Sequence, residues 1–337
     1  MTDFSHLTST LPKCYYQTAL GAAYLGDARD LTRALPDECV DLIVTSPPFA
    51  LQRRKEYGNV DASEYTAWFA GFAGEFWRVL RQDGSLVLHI GGSWNEGQPT
   101  RSLYHMELLL HLCRGLQSRF FLAQEFYWFN PARLPTPAEW VTVRRIRVKD
   151  AVDHIWWLSK TPYPKADNRK VLKAYSQSMK DLLKRGYVPR LRPSGHDIST
   201  KFGRDNGGAI PPNLLTIANT ESNSYYLRAC EAAGLRPHPA RYPIGIPDFF
   251  IRFLTSPGEV VLDPFGGSNV TGEAAQALRR YWLCFELLEK YLKGSKFRFP
   301  DELGGPDGIP PAKPKGVALF ESTPWPYSQK TNSSTES

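Results

Sequence analysis

Residues 40–49 read Val40-Asp41-Leu42-Ile43-Val44-Thr45-Ser46-Pro47-Pro48-Phe49. Val40 to Thr45 is a short apolar, β-branched run of the kind that forms a buried strand. The two prolines end it at once, because proline has no N–H to give to a ladder. Downstream, Tyr65 to Leu80 places Trp68, Phe69, Phe72, Phe76, Val79 and Leu80 at helical spacing, which makes one apolar stripe. Asp83-Gly84 then turns the chain into a second strand, Ser85 to Ile90. Strand, helix and strand in that order predict a parallel sheet with right-handed crossovers.

Working outward, Phe120 to Phe129 and Val152 to Leu158 are two aromatic strand candidates joined by a Pro- and Arg-rich connection. Near the other end the same rhythm returns. It comprises a helix from Pro247 to Thr255, a strand at Val260 to Leu262, a glycine loop, a helix from Thr271 to Arg279 and a strand from Tyr281 to Phe285. Between the two stretches, residues 162–237 are dominated by Lys, Arg, Pro, Asn and Gly with weak periodicity, as expected of an inserted binding module. Residues 301–337 are rich in Pro, Gly, Ser and Lys and are expected to form a disordered tail.

A chain of 337 residues suits one large α/β unit, or such a unit carrying a smaller insert. The 41 Lys and Arg against 34 Asp and Glu give a formal charge of +7. That balance suits a polyanionic partner, and equally a basic protein without one. The five cysteines are scattered, with no C-x-x-C pair, so neither a disulfide framework nor a zinc site is implied, and no metal is expected. No stretch approaches the ~20 apolar residues of a membrane helix, and the N-terminus lacks a basic region followed by an apolar run. The expectation is a cytoplasmic protein with no membrane contact.

The glycine loop is Asp263-Pro264-Phe265-Gly266-Gly267-Ser268-Asn269-Val270-Thr271-Gly272. Glycines at a strand end let backbone approach a ligand closely, and the helix that follows offers unpaired N–H groups. The spacing is not the G-x-G-x-x-G of dinucleotide binders, which argues against a pyrophosphate cradle. Asp263, at the strand end, suits a cationic amino group. Glu286, ending the next strand, suits the two hydroxyls of a ribose. A nucleoside joined to an amino acid is S-adenosylmethionine. Taken alone, the loop also fits a glycine turn of any α/β protein.

Ser46-Pro47-Pro48-Phe49 sets a hydroxyl, a proline carbonyl and a ring face on a stiff loop at the carboxyl end of a strand. An exocyclic amine conjugated to a base is a poor nucleophile because its lone pair is delocalised. Hydrogen bonds from its two hydrogens to the Ser46 hydroxyl and the Pro47 carbonyl would draw the nitrogen towards tetrahedral geometry. The lone pair would then be free to attack a sulfonium methyl in line, while Phe49 stacks on the base. A base inside a duplex cannot reach such a loop, so flipping is implied. The alternative is a double-proline loop that only caps a strand. Cytosine C5 chemistry needs a cysteine nucleophile, usually after a proline, and none of the five cysteines follows one.

With both loops present, the chain resembles the DNA amino-methyltransferases of the permuted β group, in which an S-P-P-F-type motif precedes an F-x-G-x-G-like one. Thr45 to Asn59, Phe126 to Pro131, Arg192 to Ile198 and Ile210 to Leu215 are similar to segments of the cytosine-N4 modification methyltransferases. The likeness covers most of residues 15–300. It implies a Rossmann-like S-adenosylmethionine-dependent methyltransferase fold, with a mostly parallel seven-stranded sheet in circularly permuted order and a target-recognition insert. Residues 15–161 would form the catalytic half, 162–237 the target-recognition region and 238–300 the cofactor-binding half.

The resemblance further implies that Ser46, Pro47, Pro48 and Phe49 hold the target base. Asp263, Phe265, Gly266, Gly267, Ser268, Asn269 and Glu286 would line the S-adenosyl-L-methionine site, with Asp27 near the adenine. Relatives can carry an acid in the strand around His89, where this chain has His; a stacked, satisfied core histidine is expected there rather than a group that removes a proton. The implied activity is methylation of cytosine N4 in double-stranded DNA as the modification arm of a type II restriction–modification system. A cognate restriction endonuclease would then be encoded in the same genome, and CAGCTG is the recognition sequence to test. Adenine N6 methylation and an inactive DNA-binding protein of the same fold are the alternatives.

The basic residues divide by context. Arg53, Arg144, Arg145, Arg147 and Lys149 are candidates for DNA contact; alternation in Arg144-Arg145-Ile146-Arg147-Val148-Lys149 would put its arginines on one face of an extended segment. Such runs are also common on solvated faces. Arg192, Ser194, His196 and Asp197 are candidates for base-edge or register contacts, unless Pro193-Ser194-Gly195 is only a turn.

Overall fold

The computed structural model describes residues 4–50, 60–115, 119–186, 203–220 and 224–309. One compact unit comprises Met1–Ala166 with Asn213–Pro314, and the described part of the other lies within Asp167–Pro212. In chain order the strands are β1 (Tyr16–Gln17), β2 (Gly21–Leu25), β3 (Val40–Thr45), β4 (Leu80–Ile90), β5 (Phe121–Phe129), β6 (Val152–Ser159), β7 (Leu214–Thr216), β8 (Val260–Asp263) and β9 (Tyr281–Glu286). The helices are α1 (Phe4–Ser9), α2 (Ala28–Ala34), α3 (Tyr65–Val79), α4 (Tyr104–Arg114), α5 (Gln177–Arg185), α6 (Tyr225–Ala232), α7 (Gly245–Leu254), α8 (Val270–Ala277), α9 (Glu289–Ser295) and α10 (Pro300–Leu303).

The described strands form one sheet in the order β1-β2-β9-β8-β3-β4-β6-β5-β7. Pairing is parallel from β2 through β9, β8 and β3 to β4, and antiparallel where β6 joins β4 and β5. The expected seven-stranded sheet is therefore present, with the two-residue β1 and three-residue β7 added at its edges. The permutation is visible in the order: β8 and β9, late in the chain, sit between β2 and β3. β3 is buried along nearly its whole length, and mostly apolar, because it is central and covered on both faces. Leu86, Leu88, Trp156 and Leu158 join Phe69, Phe76 and Leu108 of α3 and α4 in the core. The alternate residue Trp157 meets Phe253 of α7 across the other face, with ring centroids 5.0 Å apart.

Three sequence expectations shift. Asp83-Gly84 does not precede β4 but lies inside it, because Val40 pairs with Leu80 and Leu42 with Ser85, which makes the intervening residues a bulge. The inserted unit is narrower than residues 162–237. Leu214–Thr216 pairs with β5, and α6 buries Tyr226 and Cys230 against Phe297, so residues from Asn213 belong with the sheet. Residues 301–309 are not a disordered tail: Glu302 of α10 accepts a hydrogen bond from the Ala19 N–H at 2.6 Å, and Ile309 packs on the α6 cluster. Residues 310–337 lie outside the described residues.

Within the second unit, Asp167 caps the short 3-10 turn Asn168–Val171, and Ser176 caps α5 by accepting from the Met179 N–H. Lys173 and Ala209 exchange backbone hydrogen bonds, and Asn206 N–H donates to the Tyr175 hydroxyl at 2.8 Å. Lys184 and Arg185 lie in the last turn of α5, where they complement the helix dipole.

Candidate active site

The carboxyl ends of β2, β3, β4, β8 and β9 open into one cleft of about 630 Å³, within the range of ligand sites. Residues following β5 and the segment 238–242 before α7 complete its wall. Open parallel sheets place ligands at this edge, where the strand order changes direction.

On one side stand Pro264, Phe265, Gly266, Gly267 and Ser268, with Glu286 beside them. A Cβ on Gly266 would overlap the Cys284 sulfur, and Gly267 has φ +52 with the His238 ring 3.3 Å from where its Cβ would be. Neither position has room for a Cβ, so the loop lines the cleft with bare backbone. Glu286 takes the Gly267 and Leu288 N–H groups, each at 2.8 Å, and lines the cleft at 8% exposure. Burial raises its carboxyl above the usual range, against those backbone donors. Acceptor capacity remains on its cleft side for a ligand hydroxyl. Phe265 packs its ring on Phe72, at 5.1 Å, and on Trp68. Asp27 caps α2 and lines the cleft, held by Arg29, whose hydrogen bond lowers its carboxyl against the opposing effect of burial. These residues fit a nucleoside joined to an amino acid: a glycine cradle beside an acid at the next strand end.

Two expected cofactor contacts are not on the wall. Asp263 is 2% exposed; Thr45 (2.7 Å) and the Phe265 N–H (3.1 Å) donate to one oxygen, Thr271 (2.6 Å) and Tyr242 (3.3 Å) to the other. Both oxygens are engaged internally rather than offered to an amino group, and burial raises its carboxyl. Asp263 thus ties β3, the glycine loop and the 238–242 segment together. Asn269 is fully buried in left-handed backbone, φ +55; its side chain caps α8 by accepting the Gly272 N–H and donates to the Tyr16 hydroxyl. Its role is to shape the loop.

On the other side, Ser46, Pro47, Pro48 and Phe49 all line the cleft. The Pro48 carbonyl is anchored by the buried Tyr65 hydroxyl at 2.8 Å. Phe49 is half-buried, packed on the core and edge-on to His89 with centroids 5.4 Å apart. The expected stacked, satisfied histidine is not what the structure holds: His89 meets Phe49, Trp128 and Tyr242 edge-on, and its buried Nε2 has no hydrogen-bond partner among the described residues. It is not merely a core residue: it lines the cleft, its Nδ1 is 2.9 Å from the Ser46 Oγ, and its Nε2 is 3.6 Å from Asp153. Asp153 in turn accepts both guanidinium nitrogens of Arg133, at 2.8 and 2.7 Å. Trp128, Asn130, Arg133, Asp153, His238 and Tyr242 line the site without having been anticipated. Trp128 and Asn130 lie in the segment Phe126 to Pro131, read as family-like; Asp153 had no local signal, being an acid in an apolar strand.

The expected extended arginine face does not form. Glu139–Val143 is a π-helix, and Arg145 adopts φ +54, which breaks any strand. Arg144 pairs with Glu139 at 2.8 Å and covers Trp140, whereas Arg147 lies 3.9 Å from the Trp94 ring and bonds the Pro99 carbonyl. Lys149 donates to the Arg133 carbonyl at 3.1 Å. Arg144, Arg145 and Lys149 are exposed, Arg147 half-buried. Arg53, Arg192, Ser194, His196 and Asp197 lie outside the described residues.

Fold and cleft together define an S-adenosylmethionine-dependent methyltransferase. Residues 40–297 match the family model described as DNA methylase, of the N6/N4 methyltransferase type, and the chain belongs to that family. Type II methyltransferase M.PvuII of Proteus hauseri is 50% identical over 289 residues, 85% of either chain. Type II methyltransferase M.BamHI of Bacillus amyloliquefaciens is 27% identical over 290 residues, 85% of this chain and 59% of that protein. Among solved structures, the PvuII DNA methyltransferase (cytosine-N4-specific) superposes with a TM-score of 0.69 at 44% identity, covering 85% of this chain and 89% of that one. A DNA modification methylase from Thermus thermophilus, complexed with S-adenosyl-L-methionine, shares the fold at a TM-score of 0.51 and 22% identity, over 83% of this chain and 93% of that one.

Proposed function

We propose that this protein methylates N4 of a cytosine flipped out of double-stranded DNA, as the modification enzyme of a type II restriction–modification system. One observation carries the reading: the Ser46-Pro47-Pro48-Phe49 loop and the Gly266-Gly267/Glu286 cradle share a single cleft. The 50% identity to type II methyltransferase M.PvuII, and the cytosine-N4 specificity in the name of the matching structure, support the choice of base and of system. S-adenosylmethionine supplies an electrophilic methyl group on a sulfonium.

In this reading Glu286 receives the ribose hydroxyls, the Gly266–Ser268 backbone faces the methionine portion and Asp27 stands near the adenine. Ser46 and Pro47 accept the two amine hydrogens, which localises the nitrogen lone pair, Pro48 stiffens the loop and Phe49 stacks on the base. The unit at residues 167–212 reads the recognition sequence, with Arg144, Arg145 and Lys149 on phosphates. A cognate endonuclease in the same genome completes the system.

The test is methyl transfer from labelled S-adenosylmethionine to a CAGCTG duplex, followed by hydrolysis to nucleosides. N4-methyldeoxycytidine is the expected product. N6-methyldeoxyadenosine would overturn the base assignment, and absence of transfer to any duplex would overturn the activity.

A further inference from the structure

Methylating an amine leaves a proton to be disposed of, and the Ser46-Pro47-Pro48-Phe49 loop contains no group basic enough to keep it. Behind Ser46 stands an ordered chain. Ser46 Oγ lies 2.9 Å from His89 Nδ1, His89 Nε2 lies 3.6 Å from Asp153 Oδ2, and Arg133 grips the same carboxylate with two hydrogen bonds. The four residues come from the β3 loop, β4, β6 and the segment after β5, and all line the cleft.

We propose that His89, oriented by Asp153 and Arg133, sets the Ser46 hydroxyl for the target amine and takes up the proton that the amine loses; this rests on the reading in which Ser46 holds that amine. The tautomer follows from the surroundings. A carboxylate facing Nε2 favours the proton there, leaving the Nδ1 lone pair towards Ser46. Ser46 then donates its hydrogen to Nδ1, so its oxygen can only accept from the substrate side. This is the direction needed to receive an amine N–H. Burial alone would raise the Asp153 carboxyl, but the His89 ring facing it and the Arg133 guanidinium bonded to it outweigh that and bring it down to about 2, so it stays ionised. The other groups facing the ring are Phe49, Trp128 and Tyr242. Burial holds the Tyr242 phenol well above its usual value, so it carries no charge.

The proton count closes. The amine lone pair forms the new N–C bond as the methyl–sulfur bond breaks, with those electrons going to sulfur. The nitrogen now carries a positive charge and two hydrogens. One passes to Ser46 Oγ while the Ser46 hydroxyl proton passes to Nδ1. This leaves a neutral N-methylamine, an intact serine and an imidazolium beside the Asp153 carboxylate. The imidazolium then returns its proton to solvent through the cleft.

The experiment compares wild type with Ser46→Ala, His89→Gln, Asp153→Asn and the His89→Gln/Asp153→Asn double variant. Single-turnover methyl transfer to the CAGCTG duplex is followed from about pH 5 to 9, beside calorimetric affinity for S-adenosylmethionine. His89→Gln and Asp153→Asn are each expected to slow transfer by about tenfold or more at neutral pH, with cofactor affinity within a few-fold. The double variant should be no slower than the worse single variant, because the residues act as one unit. An already protonated imidazole has no lone pair on Nδ1, so the wild-type rate should fall on the acid side and His89→Gln should lose that limb. A merely structural histidine would not remove it. A wild-type rate and acid limb in His89→Gln, with Ser46→Ala slow, would overturn the chain while sparing Ser46. An unimpaired Ser46→Ala would overturn both.

Discussion

Phe49 both packs on the core and faces the cleft. Phe49→Ala is therefore expected to lose about 1–3 kcal/mol of stacking on an extruded base. Phe49→Trp should keep much of it. The loss should shrink on a duplex whose target cytosine faces a mismatch, since such a base costs less to extrude. Methyl-transfer rates on matched and mismatched duplexes check this, and equal losses on both would assign the ring to the core alone. Glu286 makes the companion case on the cofactor side. Because its oxygens already hold the Gly267 and Leu288 N–H groups, Glu286→Gln keeps an amide oxygen for part of that duty. It should still weaken S-adenosylmethionine by about 1–3 kcal/mol, read by calorimetry without DNA. The lesson of Asp263 is the opposite one: an acid at a strand end invites assignment to a ligand, and only the four donors around it reveal that its capacity is used internally.

The glycine loop shows how an element acts as a unit. β8 and β9 are adjacent and parallel, so Cys284 of β9 comes directly under Gly266, where a Cβ would overlap its sulfur. Gly266→Ala should thus displace the loop from the cofactor and cut S-adenosylmethionine affinity by roughly tenfold, in line with ~1–3 kcal/mol for overpacking. Adding Cys284→Ala, which removes the obstructing sulfur, should restore part of it. Titration calorimetry on the two variants gives the answer; equal affinities for both would mean the steric reading is wrong. Elements with strong local periodicity were readable in advance: β3, α3, α7, β8 and β9 fall within a residue or two of expectation. The 139–149 connection was not. Alternating charges suggested an extended strip, but Trp94 and Trp140, brought under Arg147 and Arg144, and the left-handed turn at Arg145 decide otherwise.

At the scale of the molecule, charge governs two measurable behaviours. With a net charge of +7 the protein should bind DNA with a steep salt dependence, and Arg145→Ala should reduce the slope of log K against log salt by about 0.9 if that side chain meets a phosphate. An unchanged slope would remove Arg145 from the interface. Acid stability should depend on Asp153. Its folded value of about 2 lies below the unfolded 3.8, so its ionised form stabilises the fold above the unfolded value by about 2 kcal/mol. That contribution is lost as pH falls from about 4 through about 2. Asp153→Asn should flatten the melting temperature over this window, and an equally steep decline would place the linkage elsewhere. The sequence by itself determined the class of fold and the two loops that line the cleft, because strand runs, proline stops and glycine turns are local signals; the family and the expected permutation came with the resemblance those loops carry. Only the tertiary structure decided that β8 and β9 enter between β2 and β3, that the Asp263 oxygens are engaged internally, and that His89, Asp153 and Arg133 line up behind Ser46. Those depend on partners distant in the chain, and a sheet's pairing order, not its local pattern, sets which side chains meet at its carboxyl edge.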